Sequence, residues 1–385
     1  MYNKQNKKIK LLRVVTQSEV VPWHLKNFID RSGKDYELFI TGNGVSRFKF
    51  DYPYVTFVDN QILRKTSIYF DIISLIKLIV LCVKIRPKII HSIMPKAGLL
   101  ASIAGFITFA PIRIHTFTGQ VWATKTGASR EFYKFIDKVI FNLTTVCLTD
   151  SPSQSDFLAK NGFLVHGDPI QYLGKGSLSG VDLDKFDISI VNQKNNLRND
   201  LGIGENDFVY VFLARKSITK GIKELIESFD KIAYLPNVKL LFIGPDESEG
   251  QLDSLLVKFA NITDKIISFD IVKDHQRYLA ISDVLCLPSS SEGFGSIVIE
   301  AAALGVPSIG FDIFGLSDSI EHNYSGILVP FKNVDKFAEA MISLYNDTGK
   351  LEKMKVYTRE RVVKYFSADS VYYFQKQFYE TLINK

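Results

Sequence analysis

Three observations predict an α/β chain built on two doubly wound parallel sheets. Short apolar runs of strand length alternate with helical stretches from residue 9 to beyond residue 340. Such alternation makes parallel sheets with helices on both faces. The pattern breaks once, in a polar, glycine-bearing stretch after Tyr172, and then restarts. At 385 residues the chain also exceeds what one hydrophobic core ordinarily holds, so each run of alternation is expected to be a domain.

The first half opens with a buried strand at 9–16, Ile-Lys-Leu-Leu-Arg-Val-Val-Thr. Residues 21–31 follow as a helix with Pro22 near its start, where a missing N–H costs little. Strands are expected at 36–41, closed by Gly42-Asn43-Gly44, and at 54–58. Residues 66–85 read as one long apolar helix, but Asp71, Lys77 and Lys84 interrupt it. It is therefore amphipathic or buried and not a membrane span. Arg86-Pro87 breaks it. A strand at 89–91, a helix at 96–107, a strand at 112–117 and a helix at 130–143 come next. A strand at 145–149 ends in Asp150-Ser151, and a further helix runs over 153–160.

Gly174, Gly176, Gly180 and the polar residues 182–200 look like a linker. The expected domains are 1–180 and 181–355, with helices at 356–385 packing back toward the first. In the second domain, strands are expected at 208–213, 238–243, 265–269 and 283–288. Helices are expected between them at 220–233, 251–259 and 276–281. Residues 317–320, 326–329 and 334–345 continue the alternation, and 351–379 read as terminal helices rich in Tyr and Phe.

The most informative stretch is Ser289-Ser290-Ser291-Glu292-Gly293-Phe294-Gly295-Ser296, followed by Ile297-Val298-Ile299-Glu300-Ala301-Ala302-Ala303. The second part is a helix apolar on nearly every face, hence buried. Glu300 is its only charge, and a buried carboxylate is costly unless something hydrogen-bonds it. Gly293 and Gly295 let the backbone approach a ligand, and the helix N-terminus offers free N–H groups to an anion. A diphosphate on that terminus, with one glutamate on a sugar and the other on a ribose, accounts for every feature. A simple turn with two incidental acids is the alternative. Upstream, Arg215 and Lys220 flank a strand-to-helix crossover, where open α/β sheets bind ligands and where two cations suit a diphosphate. A solvated basic loop is the competing account.

Composition narrows the function classes. With 46% apolar and 23% charged residues the chain is globular. Cys82, Cys147 and Cys286 lie in apolar runs without C-x-x-C spacing, which favours buried thiols in a reducing compartment over disulfides or zinc. Residues 11–15 are too short for a signal-peptide core, so export is not expected. Residues 1–180 carry 24 Lys and Arg against 12 Asp and Glu, and residues 181–385 carry 23 against 29. A basic first half meets something anionic. No basic run interleaved with aromatics favours nucleic acid. An anionic membrane surface fits better, through the 66–85 helix and Lys4, Lys7, Lys8 and Lys10.

Taken together, Ala214-Arg215, Lys220-Gly221, Asp283-Val284 to Pro288, and Glu292-Gly293-Phe294-Gly295 to Glu300-Ala301 resemble the family 4 glycosyltransferases. In the first half, Pro95-Lys96-Ala97-Gly98-Leu99-Leu100, Val121-Trp122-Ala123-Thr124-Lys125-Thr126-Gly127 and Thr149-Asp150-Ser151-Pro152-Ser153 resemble members that extend lipid-linked sugars for surface polysaccharides. The resemblance implies a retaining enzyme of the GT-B fold, two Rossmann-like domains facing a central cleft. It implies a nucleotide-sugar donor, a UDP-sugar, and a saccharide acceptor linked to a polyprenyl diphosphate. It places the chain in the cytoplasm, peripherally on the inner face of the membrane. Glu300 would bind the ribose, Glu292 would sit near the donor sugar, and Arg215 and Lys220 would hold the diphosphate with the amides of Phe294, Gly295 and Ser296. No cofactor and no metal are implied.

Two departures stand out. Ala214 replaces a usual Gly, and Thr118-Gly119 stands where many members carry His-Gly. His115 lies an odd number of residues from Thr118 on a strand, so it faces the other side. On the acceptor side His91, Lys96 and Thr118 are the candidates. His24, His166, His275 and His322 read as structural or solvated. A sugar-nucleotide epimerase of the same fold and a non-catalytic nucleotide or lipid-carrier binding partner remain as alternatives. The Arg–Lys–Glu–Glu pattern favours the transferase.

Overall fold

The computed structural model describes residues 8–65 and 67–384. The chain divides into two compact units, Met1–Ser179 with Val371–Lys385, and Gly180–Ser370. Lys4, Lys7 and Thr66, which entered the membrane expectation, lie outside the described residues.

The first unit holds β1 (Ile9–Gln17), β2 (Tyr36–Asn43), β3 (Thr56–Asp59), β4 (Ile89–Ile93), β5 (Ile112–Phe117) and β6 (Val146–Thr149). They form one sheet in the order β3-β2-β1-β4-β5-β6, parallel throughout. Its central strands β1 and β4 are largely buried on both faces, which is why apolar residues predominate in them without strict alternation. Leu11 and Val15 join Ile89 and Ile93 in one core, while Leu12 and Val14 join Ile90 in the other. The first expected helix is resolved into a π-helical turn, Val21–Leu25, and an α-helix, Lys26–Ser32. A two-stranded antiparallel hairpin, β7 (Leu164–Val165) and β8 (Asp168–Pro169), was not expected, because two-residue strands carry no periodicity. The helix Ile68–Ile85 buries Ser74, Leu78, Cys82 and Ile85. Its other face is apolar too: Ile68, Ile72, Ile76, Val80 and Val83 are all more than half exposed. Among the described residues no helix is long and apolar enough to cross a membrane.

The second unit repeats the plan with β9 (Phe208–Leu213), β10 (Val238–Ile243), β11 (Ile266–Phe269), β12 (Val284–Leu287), β13 (Ser308–Phe311) and β14 (Gly326–Val329). Their order is β11-β10-β9-β12-β13-β14, again all parallel. The α/β fold class with two doubly wound sheets is thus the observed one.

Two expectations need correction. The supposed linker at 182–200 is partly helical, with 3-10 turns at Ile188–Gln193 and an α-helix at Lys194–Asp200. It reads as polar, yet charged and apolar side chains fasten it together: Phe186 is buried, and Leu183, Ile190, Val191 and Leu197 pack against the core beside ion pairs. Lys194 Nζ and Arg198 Nη2 each donate to Asp283 at 2.8 Å, and Arg198 is buried. Burial would raise the Asp283 pKa, but the two cations hold its carboxyl below the usual range. The C-terminal residues are not one block either. The helix Thr348–Tyr365 stays with the second unit, and only Val371–Lys385, most of the helix Ala368–Ile383, joins the first. All three cysteines are buried and free, and burial pushes the Cys82 thiol up to about 11 and Cys147 to about 12.

Candidate active site

In the second unit β9 and β12 are neighbours, and the strands that follow them in sequence lie on opposite sides of the pair. This is the topological switch point, beyond whose carboxyl ends open α/β sheets bind ligands. Chain segments leaving both strands meet there. From β9 the chain passes through Arg215 to a 3-10 turn, Ile218–Lys220, and then Gly221 at φ +80°, which caps the helix Ile222–Ile232. A Cβ on Gly221 would fall 1.9 Å from the carbonyl oxygen of Pro288, so only glycine allows this loop to lie on the chain leaving β12. Beside it, the Ser290 amide and hydroxyl both donate to the Thr219 carbonyl, at 2.9 and 3.0 Å. These contacts bring Lys220 Nζ to 2.6 Å from Glu292 Oε1, with both side chains largely buried.

Glu292 precedes the helix Ser296–Ala303, whose cap, Gly295, has φ +77° and makes no side-chain capping bond. The first amides of that helix, from Ser296 onward, therefore have no side-chain acceptor from the cap, as an anion site requires. The Phe294 ring points into the core against Phe366, 5.3 Å between centroids, so Phe294 offers the site its backbone only. Val298, Ile299 and Ala301 to Ala303 bury the helix, and Glu300, its one charged residue, is partly exposed. Its Oε2 lies 3.0 Å from His275 Nε2. His275 was expected to be structural or solvated. It comes from the helix His275–Ala280, and no spacing in the sequence links it to Glu300.

The other predicted cation lies apart from the Lys220–Glu292 pair. Arg215 Nη1 donates to Glu247 at 2.7 Å, with both side chains exposed to about the same degree. Its neighbour Lys216, not singled out in the sequence, is buried and donates to Ser268 Oγ and the Phe269 carbonyl, each at 2.8 Å. Burial lowers its ammonium pKa, opposed by Asp270 and Asp246. It ties the β9 loop to the end of β11.

The first-unit candidates are placed less favourably. His91 is not open to a ligand. It is buried, with Nδ1 at 3.1 Å from Arg13 Nη1 and 2.5 Å from Tyr379 Oη, and Nε2 at 2.8 Å from Thr116 Oγ1. Burial and the adjacent Arg13 hold its pKa well below the usual imidazole value. A position at a strand end suggested exposure, but the C-terminal helix covers it with Tyr379. Lys96 Nζ is spent on the Lys65 carbonyl at 2.7 Å and on Asp71 at 2.9 Å. Thr118 lies half-buried in the loop after β5. His115 is buried with Nδ1 at 2.9 Å from Ser92 Oγ, and burial brings its pKa to about 3. Among the described residues no three His, Cys, Asp or Glu side chains gather as a metal site would need.

Comparison with known proteins points the same way. Residues 193–361 match the family model described as Glycosyl transferases group 1. That stretch, within the second unit, resembles the group 1 glycosyl transferases. The chain is 29% identical to the capsular polysaccharide biosynthesis glycosyltransferase CapM of Staphylococcus aureus over 385 residues, 98% of each chain. It is 25% identical over 308 residues to an Escherichia coli enzyme named UDP-Gal:alpha-D-GlcNAc-diphosphoundecaprenol alpha-1,3-galactosyltransferase, covering 79% of this chain and 78% of that one. Among solved structures, Anabaena Alr3699/HepE in complex with UDP superposes with TM-score 0.78 at 17% identity, over 98% of this chain and all of that one. Sucrose-phosphate synthase from Thermosynechococcus elongatus gives TM-score 0.79 at 18% identity, over 97% and 99%. These two show the fold alone.

Proposed function

We propose that this protein is a glycosyltransferase that moves a hexosyl or N-acetylhexosaminyl group from a UDP-sugar, with retention, to a saccharide carried on a polyprenyl diphosphate, in the assembly of a bacterial surface polysaccharide such as capsule or O-antigen. The observation that carries the reading is the meeting of Lys220 and Glu292 at the switch point, beside a buried helix whose N-terminus has no side-chain cap. A diphosphate on that terminus takes Lys220 and the amides of Phe294 to Ser296, and the exposed Arg215 can trade Glu247 for phosphate. Glu292 then lies beside the donor sugar and Glu300 accepts from the ribose hydroxyls. As the bond from sugar C1 to the diphosphate breaks, charge grows on the leaving oxygen, and prepositioned cations stabilise it without a divalent ion. The donor and acceptor follow the name of the Escherichia coli relative, and the pathway follows that of CapM.

The test is incubation with UDP-sugars and short-chain polyprenyl-diphosphate saccharides, following released UDP and glycosylated lipid. Transfer unaffected by a chelator, giving a product of the donor's anomeric configuration, is expected. Isomerised nucleotide sugar without transfer would overturn the reading.

A lipid-linked acceptor implies work at a membrane surface. The outward apolar face of Ile68–Ile85 supports this, because residues 64–113 carry eight Lys and Arg against one Asp. Apolar side chains flanked by cations suit an anionic leaflet, each basic residue contributing on the order of 1 kcal/mol. Flotation with anionic vesicles at low salt is expected, with loss at high salt and none with neutral lipid. Ile72→Glu with Ile76→Glu should abolish it.

A further inference from the structure

We propose that His275 is a positioning residue for the donor, fixing the Glu300 carboxylate in the orientation that receives the ribose hydroxyls. The inference rests on the reading of Glu300 as the ribose acceptor. Glu300 stands on a helix packed by Val298, Ile299 and Ala301 to Ala303, which leaves its own carboxylate free to rotate about a flexible side chain. Three rotatable bonds lost on binding a ligand cost affinity unless they are already fixed. The bond from His275 Nε2 to Glu300 Oε2, 3.0 Å, fixes them in advance. A carboxylate only accepts, so the imidazole donates from Nε2, and Oε1 keeps its lone pairs for a ribose diol.

The ring is itself held. Phe186 meets it edge-on with 5.4 Å between centroids, and Phe186 is buried in the core beside this helix. His275 and Glu300 side chains are 22% and 28% exposed, so the pair is shielded enough to be ordered and open enough for a ligand to reach the carboxylate. The pair lies in the same unit as Lys220 and Glu292, and Glu300 stands on the helix whose N-terminus takes the diphosphate. Ribose and diphosphate thus address one rigid element from two sides of its first turns.

The experiment is calorimetric titration of the full chain with UDP and with 2′,3′-dideoxyuridine diphosphate. His275→Ala should weaken UDP about five- to tenfold, the worth of one hydrogen bond. His275→Gln, which keeps an N–H donor, should recover most of that loss. The dideoxy analogue should bind His275→Ala and the parent equally, since it has no hydroxyls for Glu300 to receive. In turnover, donor KM should rise with kcat unchanged, because ribose binding is the same in ground and transition states. An equal loss for UDP and the analogue, or no loss for either, overturns the positioning role. Glu300→Gln separates the two levels. If it leaves UDP affinity intact, the ribose assignment itself fails. If it weakens UDP while His275→Ala does not, only the positioning role fails.

Discussion

Lys220 and Glu292 are 72 residues apart in sequence and 2.6 Å apart in the fold. Their pair costs little to exchange for a diphosphate, since the phosphate brings its own negative charge to the same ammonium. Removing Lys220 leaves Glu292 facing an anion unshielded, whereas removing Arg215 frees only an exposed Glu247, and exposed pairs are worth little. Lys220→Ala is therefore expected to lower kcat by roughly two to three orders of magnitude, the range for losing one prepositioned donor, and Arg215→Ala by less. Both should act on kcat more than on donor KM. Steady-state kinetics at saturating acceptor checks this, and a rise in KM alone contradicts it. Lys220 and Glu292 could be singled out as candidates because each stands beside glycines in the chain between a strand and a helix, and Glu300 because it is the one charge on an apolar helix. His275 could not, since it reaches Glu300 only through tertiary packing. His91 misled because a strand end says nothing about which distant helix closes over it.

At the scale of elements, the crossing of two loops at Gly221 and Pro288 sets the site geometry. Gly221→Ala forces a Cβ within 1.9 Å of a carbonyl oxygen at a φ of +80°. Backbone strain of that kind costs about 1–3 kcal/mol before the clash is counted. The expected outcome is a lower urea midpoint together with a fall in kcat, because the displaced loop carries Lys220 away from Glu292. An unchanged midpoint and full activity would show that the crossing is not what places Lys220. Strands at 112–117, 208–213, 238–243 and 326–329 fell on the expected residues, since mostly buried strands leave short, largely apolar runs between turns. The helix Lys194–Asp200 gave no such run, because Arg198 and Lys194 hold it to Asp283 through charge.

At the scale of the whole molecule, the restart of alternation showed two units, but nothing in the sequence showed that they titrate differently. The first unit buries His91 and His115 as neutral rings, with burial lowering both pKa values, His115 to about 3. Below pH 6.5 the unfolded chain binds protons that these folded rings refuse, so their contribution is present above 6.5 and lost as the pH falls. Between pH 7.5 and 5, His115 alone removes about 2 kcal/mol, and His91 acts in the same direction. Asp137 opposes them. Burial raises its carboxyl to about 6, while the bond from Trp122 Nε1 works against the shift. Raised above its unfolded value, it favours the folded state at acid pH, by about 1.4 kcal/mol at pH 5. The histidines outweigh it, so the first unit is expected to lose stability on mild acidification. In the second unit Asp283 is held low and keeps its pairs over that whole range. Both tryptophans of the chain, Trp23 and Trp122, lie in the first unit. Tryptophan fluorescence therefore reports that unit, and calorimetry reports both. Thermal scans at pH 7.5 and 5 should show the fluorescence transition moving down relative to the remaining calorimetric transition. His115→Gln should shrink the shift and Asp137→Asn should enlarge it. A fluorescence midpoint that does not move with pH would mean that the two histidines are not held neutral in the folded unit.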